Sequence, residues 1–170
     1  FKNKHQKDRI KKCCDFESIS LREKMNNKPE YLFNNSYQIK LVNSIYLQDI
    51  KNIDNSILKL FNSEINNKIN SYNNQDIIKN LKNDNIIIFD NLIEKLVISK
   101  LKCCFCNNIV KIFYKEVRDN LQWTLDRIDN NKPHTIDNVN ISCLKCNIQR
   151  RNRNHDKFLL SKQMKINKIY

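Results

Sequence analysis

From Asp54 onward the apolar residues Ile57, Leu58, Phe61, Ile65 and Ile69 recur every three or four positions, the spacing that lines one face of an α-helix. A second helical pattern carries Leu92, Ile93, Leu96 and Val97, with Asn91 and Glu94 at its opening. Between the two, the polar stretch NSYNNQD at residues 70 to 76 reads as the break. NIIIF, residues 85 to 89, is a continuous apolar run, and periodicity does not choose between a strand and a buried helix entry. Upstream, Ser20 and Glu23 in SISLREKM form a capping-box pair for a short helix, and residues 1 to 12 read as a basic, frayed arm. The apolar stripes of this half read as core rather than as a partner groove, because surface helices ordinarily carry them.

Further along, the period changes to two. WTLD places Trp123 and Leu125 on one face and Thr124 and Asp126 on the other, while NVNIS brings Val139 and Ile141 together. Two short strands joined by a long loop are expected. After Cys146, NIQRRNRNHDKFLLSKQM reads as one helix with Asn147 in its first turn and Ile148, Phe158 and Leu159 available for packing. The expected fold class is α+β: a mostly helical region over residues 1 to 98, a small strand–loop–strand–helix unit over 99 to 160, and a basic tail over 161 to 170.

Composition changes this picture in two ways. The 170 residues include no glycine, so turns that need positive φ are expected to fall on Asn or Asp, which tolerate that region best among the remaining residues. The abundance of Asn, Lys and Ile reads as AT-rich coding pressure, so Asn runs carry little functional meaning. The formal net charge is +13, which points to a polyanionic partner or to lysine drift from the same codon bias. Arginine is less favoured by that bias, and Arg150, Arg151 and Arg153 cluster beside Lys145, which favours nucleic acid. There is no apolar run of bilayer length and no signal-peptide pattern, so no membrane partner is expected and the chain reads as soluble and intracellular. It opens on Phe1, which leaves room for an upstream piece.

The seven cysteines are odd in number. Cys103 with Cys106 and Cys143 with Cys146 form two Cys-x-x-Cys pairs, a set suited to a closed tetrahedral zinc site in a reducing compartment, nucleus or cytoplasm. Cys104 is adjacent to the first pair, but the two-residue spacing favours Cys103 and Cys106. Cys13 and Cys14 read as ordinary thiols. The interval between the pairs is longer than a zinc-ribbon loop and must itself be folded. Zinc is expected to hold that fold rather than to act in chemistry.

The segment WTLDRIDNNKPHTIDNVNISCLKCNIQRRN, residues 123 to 152, resembles the HNH endonucleases, the ββα-metal or His-Me finger superfamily. The similarity covers about residues 100 to 158 and is greatest to a zinc-stabilised branch with Asp-Arg-Ile-Asp in the first strand, as in homing-type proteins of phages and large DNA viruses. The resemblance implies a zinc-bound ββα-metal domain that cuts DNA with Mg²⁺ or Mn²⁺. It puts Asp126 at the family's metal-binding carboxylate, Asn138 at the central Asn, and Asn147 where the helix usually offers a metal-binding histidine. An amide oxygen is a weaker but workable ligand for these hard cations. At the position of the family's general-base histidine stands Arg127, which stays protonated and can act only as an electrostatic clamp on phosphate.

A replacement base must come from elsewhere. His134 is the only histidine inside the loop; His5 is in the arm and His155 flanks the helix. It reads equally as a solvated loop residue or as the base. Asp129 and Asp137 read as turn residues, with a supporting contact open to Asp129, and Trp123 as core rather than a base-stacking platform. The expectation is a metal-dependent endonuclease on duplex DNA, with Asp126, Arg127, His134, Asn138 and Asn147 in catalysis and Lys145, Arg150, Arg151 and Arg153 on nucleic acid. The rivals are a non-cutting nucleic-acid-binding module and a zinc-stapled piece of a larger assembly packed on RNA.

Overall fold

The computed structural model describes Glu23, residues 25 to 81 and residues 85 to 164. The basic arm, Cys13 and Cys14, Ser20 of the capping-box pair and residues 165 to 170 of the tail lie outside the described residues. The fold is mixed helix and sheet, with a single two-stranded antiparallel sheet among the described residues. After a 3-10 turn at Glu30–Phe33 come α1 (Asn35–Tyr46), α2 (Asn55–Ile78) and α3 (Phe89–Ile98), then β1 (Trp123–Arg127), β2 (Val139–Cys143), α4 (Leu144–Arg150) and α5 (His155–Gln163). No helix among the described residues is long and apolar enough to cross a membrane.

Helix α2 does not break at residues 70 to 76 but runs through them to Ile78. Its start is set by Asp54, whose side chain accepts from the Ser56 backbone N–H at 2.6 Å. The buried face carries Ile57, Phe61, Ile65 and Ile69 and then continues, at the same spacing, through the half-buried Tyr72 to the buried Asp76. The face stays in register while its chemistry turns polar, and a reading based on apolar residues loses it there.

Three helices end alike. Asp49, Leu81 and Leu101 donate backbone N–H bonds to Ser44, Asp76 and Leu96, at 2.9, 3.0 and 3.0 Å, closing a Schellman turn around a left-handed residue. Those residues are Gln48, Asn80 and Lys100, with φ of 58°, 52° and 53°. Positive φ also falls on Leu101, Asn107, Arg118 and Arg151, so Asn carries only part of the load and the expected restriction to Asn and Asp does not hold. None of the seven is β-branched, the class for which that region is most hindered.

Helix α3 opens at Phe89, two residues before the expected Asn91, and Ile88 at its N-cap gives no side-chain bond. Just upstream, Ile86 forms an isolated bridge with Thr135, and the buried Ile87 donates its N–H to the His134 carbonyl at 3.2 Å. NIIIF thus serves as both a strand-like contact and a helix entry.

The expected strands form, in register Trp123↔Cys143 to Arg127↔Val139. Every residue of β1 is buried: from α2, Tyr72 bonds the Leu125 N–H and Lys68 lies over the Trp123 ring, while from α4, Asn147 and Arg150 reach Thr124 and Asp126. The expected single helix after Cys146 is two helices. The first starts at Leu144, before Cys146, because the Cys143 sulfur accepts from the Cys146 N–H at 3.4 Å as an N-cap. The chain turns at Arg151, with φ 51°, and Asn154 caps α5 through the Lys157 N–H at 3.1 Å. Phe158 is buried and Leu159 partly so, whereas Ile148 is exposed.

One core cluster runs from Met25 through Phe61 and Leu96 to Trp123, Cys143 and Phe158. Polar bonds also join the two halves. Gln38 of α1 accepts from the N–H of Ile112 and Phe113 at 2.7 and 3.2 Å and donates to the Phe113 carbonyl at 3.1 Å. The Tyr72 hydroxyl accepts the Leu125 N–H at 2.9 Å. Lys68 donates to the Trp123 carbonyl and lies 4.4 Å from the centre of the indole ring; burial lowers its pKa to about 7, and the Glu64 charge only partly restores it.

Candidate functional site

Four cysteine sulfurs, from Cys103, Cys106, Cys143 and Cys146, lie within 4.8 Å of one another and could hold a metal ion such as zinc. Sulfurs about 2.3 Å from a common tetrahedral centre are about 3.8 Å apart, and Cys106 and Cys143 are separated by 3.8 Å. The two ends of the site are built differently. At one, a tight turn bonds the Asn107 N–H to the Cys103 carbonyl at 3.0 Å and places Asn107 at φ 58°. At the other, Cys143 ends β2 and Cys146 sits in the first turn of α4. Cys104 stays outside the set, its backbone N–H bonded to the Ile141 carbonyl at 2.9 Å. Crowding separates the thiols. Hydrogen bonds from Cys104 and Cys143 push Cys103 well below the usual thiol range, while burial and the Cys103 charge push Cys146 up to about 12. A dication is what allows four such sulfurs to ionise together.

Next to the sheet lies a polar cavity of about 210 Å³ whose wall includes Asp126, Arg127, His134 and Asn147. Four of the five residues expected in catalysis are therefore brought together from β1, the loop and α4. The Asn147 amide nitrogen donates to Thr124 Oγ1 at 3.1 Å and to the Leu125 carbonyl at 3.4 Å. Its amide oxygen, the atom a hard cation would take, has no protein donor among the described residues. Asp126 gives one oxygen, Oδ2, to Arg150 at 2.8 Å. Burial raises its pKa, against the opposing Arg150 charge. One carboxylate and one amide facing the same cavity fit a cation such as Mg²⁺, which keeps several waters and needs few protein ligands.

The fifth residue, Asn138, is elsewhere. Its side chain accepts from the Asp129 N–H at 2.9 Å and donates to the carbonyls of Asp129 and Pro133 at 3.0 and 2.9 Å. These bonds pin the loop that carries His134, so Asn138 supports the site without lining it. Asp129 also accepts from the Asn131 N–H at 2.9 Å, which makes it a turn residue as expected, while Asp137 is exposed in the 3-10 turn Ile136–Asn138. Trp123 is fully buried core.

Arg127 contributes less free charge than the sequence implies. It is 8 % exposed, donates to the Lys132 carbonyl at 3.1 Å and sits 3.7 Å from an Asp76 oxygen. Arg150 is a correction. Expected on nucleic acid, it is 1 % exposed and donates to Asp126 at 2.8 Å and to the carbonyls of Arg127 and Ile128 at 2.6 and 3.0 Å. A guanidinium with this many fixed acceptors braces β1 and cannot meet a phosphate. Lys145, Arg151 and Arg153 remain exposed. Arg151 joins the wall of the first cavity, and Arg153 with Lys79 and His155 borders a neighbouring one of about 580 Å³. His155 packs on Phe105 with ring centres 5.2 Å apart.

The sequence reading missed the contribution of α2. Tyr72, Gln75 and Lys79 line the first cavity. The buried Asp76 carboxylate accepts from the His134 backbone N–H at 2.7 Å and lies 2.8 Å from its Nδ1. The Tyr72 ring lies 4.7 Å from the imidazole. His134 is therefore a buried residue and not a solvated one. The available signal was the spacing of Ile65, Ile69, Tyr72 and Asp76, which keeps one helix face. No family model, curated protein or solved structure matches the chain.

Proposed function

We propose that the chain is a metal-dependent DNA endonuclease of the HNH, ββα-metal type, with a structural zinc held by Cys103, Cys106, Cys143 and Cys146. The observation that carries this reading is the convergence of Asp126, Arg127, His134 and Asn147 on one polar cavity. Asp126 and Asn147 would hold Mg²⁺ or Mn²⁺, which when bound polarises the scissile phosphate and stabilises the leaving oxygen. His134 takes a proton from the attacking water. Its pKa lies below the ordinary histidine value, because burial outweighs the contribution of Asp76, so the ring is neutral and able to accept near pH 7. Arg127, with its charge partly balanced by Asp76, adds positive potential at the cavity wall.

A nicking assay on supercoiled plasmid with Mg²⁺ or Mn²⁺ tests this function. The wild-type chain is expected to nick, and Asp126→Asn and Asn147→Ala to lose most of that activity while retaining zinc. Asn is preferred to Ala at 126 because Ala would strand the Arg150 guanidinium in the interior. Wild-type cleavage by both variants would rule out the cation site. A second reading, a non-cutting nucleic-acid-binding module, is favoured by the hold of Arg150 on Asp126. Absence of nicking together with tight DNA binding would select it.

Affinity is expected to rest on exposed charge. Binding to duplex DNA should weaken with salt by a log–log slope of roughly 0.9 for each phosphate contacted. Arg151→Glu with Arg153→Glu should flatten that slope and weaken binding to all sequences alike. Loss of affinity for one sequence only would mean that these residues read bases.

A further inference from the structure

The loop histidine does not stand alone. Asp76, near the end of α2 and outside the strand–loop–strand–helix unit, grips His134 at two points: its backbone N–H at 2.7 Å and its Nδ1 at 2.8 Å. Asp76 is fully buried and Arg127 lies 3.7 Å from its carboxylate. Tyr72, one turn earlier on the same helix, lies against the imidazole and helps fix its plane. A second backbone contact, Ile87 N–H to the His134 carbonyl, holds the other end of the residue.

From this arrangement we infer that Asp76 is the positioning residue of a His–Asp pair in which α2 supplies the partner that makes His134 a base. The inference rests on the nuclease reading above and deepens it. A carboxylate only accepts hydrogen bonds, so the Nδ1 facing it carries the proton and Nε2 keeps its lone pair. In the reaction Nε2 takes one proton from water, and the water oxygen forms a bond to phosphorus. The bond from phosphorus to the leaving sugar oxygen breaks, and that oxygen collects a proton from solvent. Asp76 keeps its charge throughout and stabilises the imidazolium that forms. The helical half of the chain is then part of the catalytic apparatus, and Arg127, which occupies the strand position beside Asp126, acts as counter-charge to Asp76.

The charged groups facing His134 are Asp76 of α2, Lys79 just past its end and Arg127 of β1; burial lowers its pKa, Asp76 raises it and the two cations lower it further. Asp76→Asn removes the one favourable charge and leaves both cations. In the full chain with Mn²⁺, single-turnover nicking by Asp76→Asn is expected to fall by roughly 10- to 100-fold, less than the roughly 10²- to 10⁴-fold a general base itself contributes, because the base remains in place. The acid limb of its rate–pH profile should move to lower pH. Combined with His134→Ala, Asp76→Asn should cost nothing further, since residues acting as one unit are not additive. A measurement on the wild type needs no variant to fold: ¹⁵N spectra at neutral pH should show His134 protonated at Nδ1. Protonation at Nε2 instead, or an Asp76→Asn variant that cuts at the wild-type rate with an unmoved profile, overturns the role of Asp76 and leaves the nuclease reading standing. Absence of nicking by the wild type with either metal overturns the nuclease reading, and the catalytic purpose of the pair with it.

Discussion

If the four-cysteine site holds zinc, Cys143→Ser, or chelation of that ion, is expected to abolish the cooperative fold of the whole chain and not merely of the segment around the cysteines. Structural zinc contributes about 10–16 kcal/mol in peptide systems, and a domain of this kind is stable by only about 5–15 kcal/mol in total. The loss therefore exceeds what the rest of the molecule can supply. It spreads because Cys103, Cys143 and Cys146 belong to the same buried cluster as Phe61, Leu96 and Trp123. Loosening them opens the face of β1 on which α2 packs. The checks are zinc content by elemental analysis and the near-ultraviolet signal of Trp123, the lone tryptophan, followed through thermal melting. A zinc-free Cys143→Ser protein that melts like the wild type would overturn the structural role of the site.

Arg150→Ala is expected to be the most damaging single substitution outside the cysteines. It removes the partner of a buried carboxylate and strips the Arg127 and Ile128 carbonyls of their donor. Breaking such a pair from one side costs about 3–5 kcal/mol, because the remaining charge is left in the interior. For a chain of this length that corresponds to a fall of roughly 6–20 °C in Tm. Removing both partners tells the cause apart. In Asp126→Ala with Arg150→Met no charge is stranded, and well-packed apolar replacements of buried pairs are often neutral. The double variant should therefore melt well above Arg150→Ala. If Arg150→Ala melts like the wild type, Arg150 is free to serve the nucleic-acid surface after all, and its buried placement is wrong.

These two expectations differ in where they can be read. The four-cysteine cluster is visible in the spacing of Cys103, Cys106, Cys143 and Cys146, because the turns that bring each pair together are local and only the meeting of the two pairs is distant. Arg150 misled for the opposite reason. Beside Arg151 and Arg153 it reads as surface charge, yet as the last residue of α4 it turns inward to Asp126, while Arg151, in the left-handed turn that ends the helix, faces solvent. Charge runs carry no sign of which member is buried.

What the sequence determined by itself follows from short-range rules. Alternation over WTLD and NVNIS pointed to the two strands found at Trp123–Arg127 and Val139–Cys143, the three- and four-residue spacing of Ile57, Phe61, Ile65 and Ile69 defined the start of α2, and the cysteine spacing defined a candidate metal centre. Each of these depends on neighbours within a turn or a pleat. What only the tertiary structure decided is which polar residues find partners. The NSYNNQD stretch stays helical because Tyr72 and Asp76 are satisfied by Leu125 and His134, 53 and 58 residues away. A polar group is stable in the interior only when paired. Its partner here lies beyond any local pattern, so burial of Asp76, His134 and Arg150 became legible only when the chain had folded back on itself.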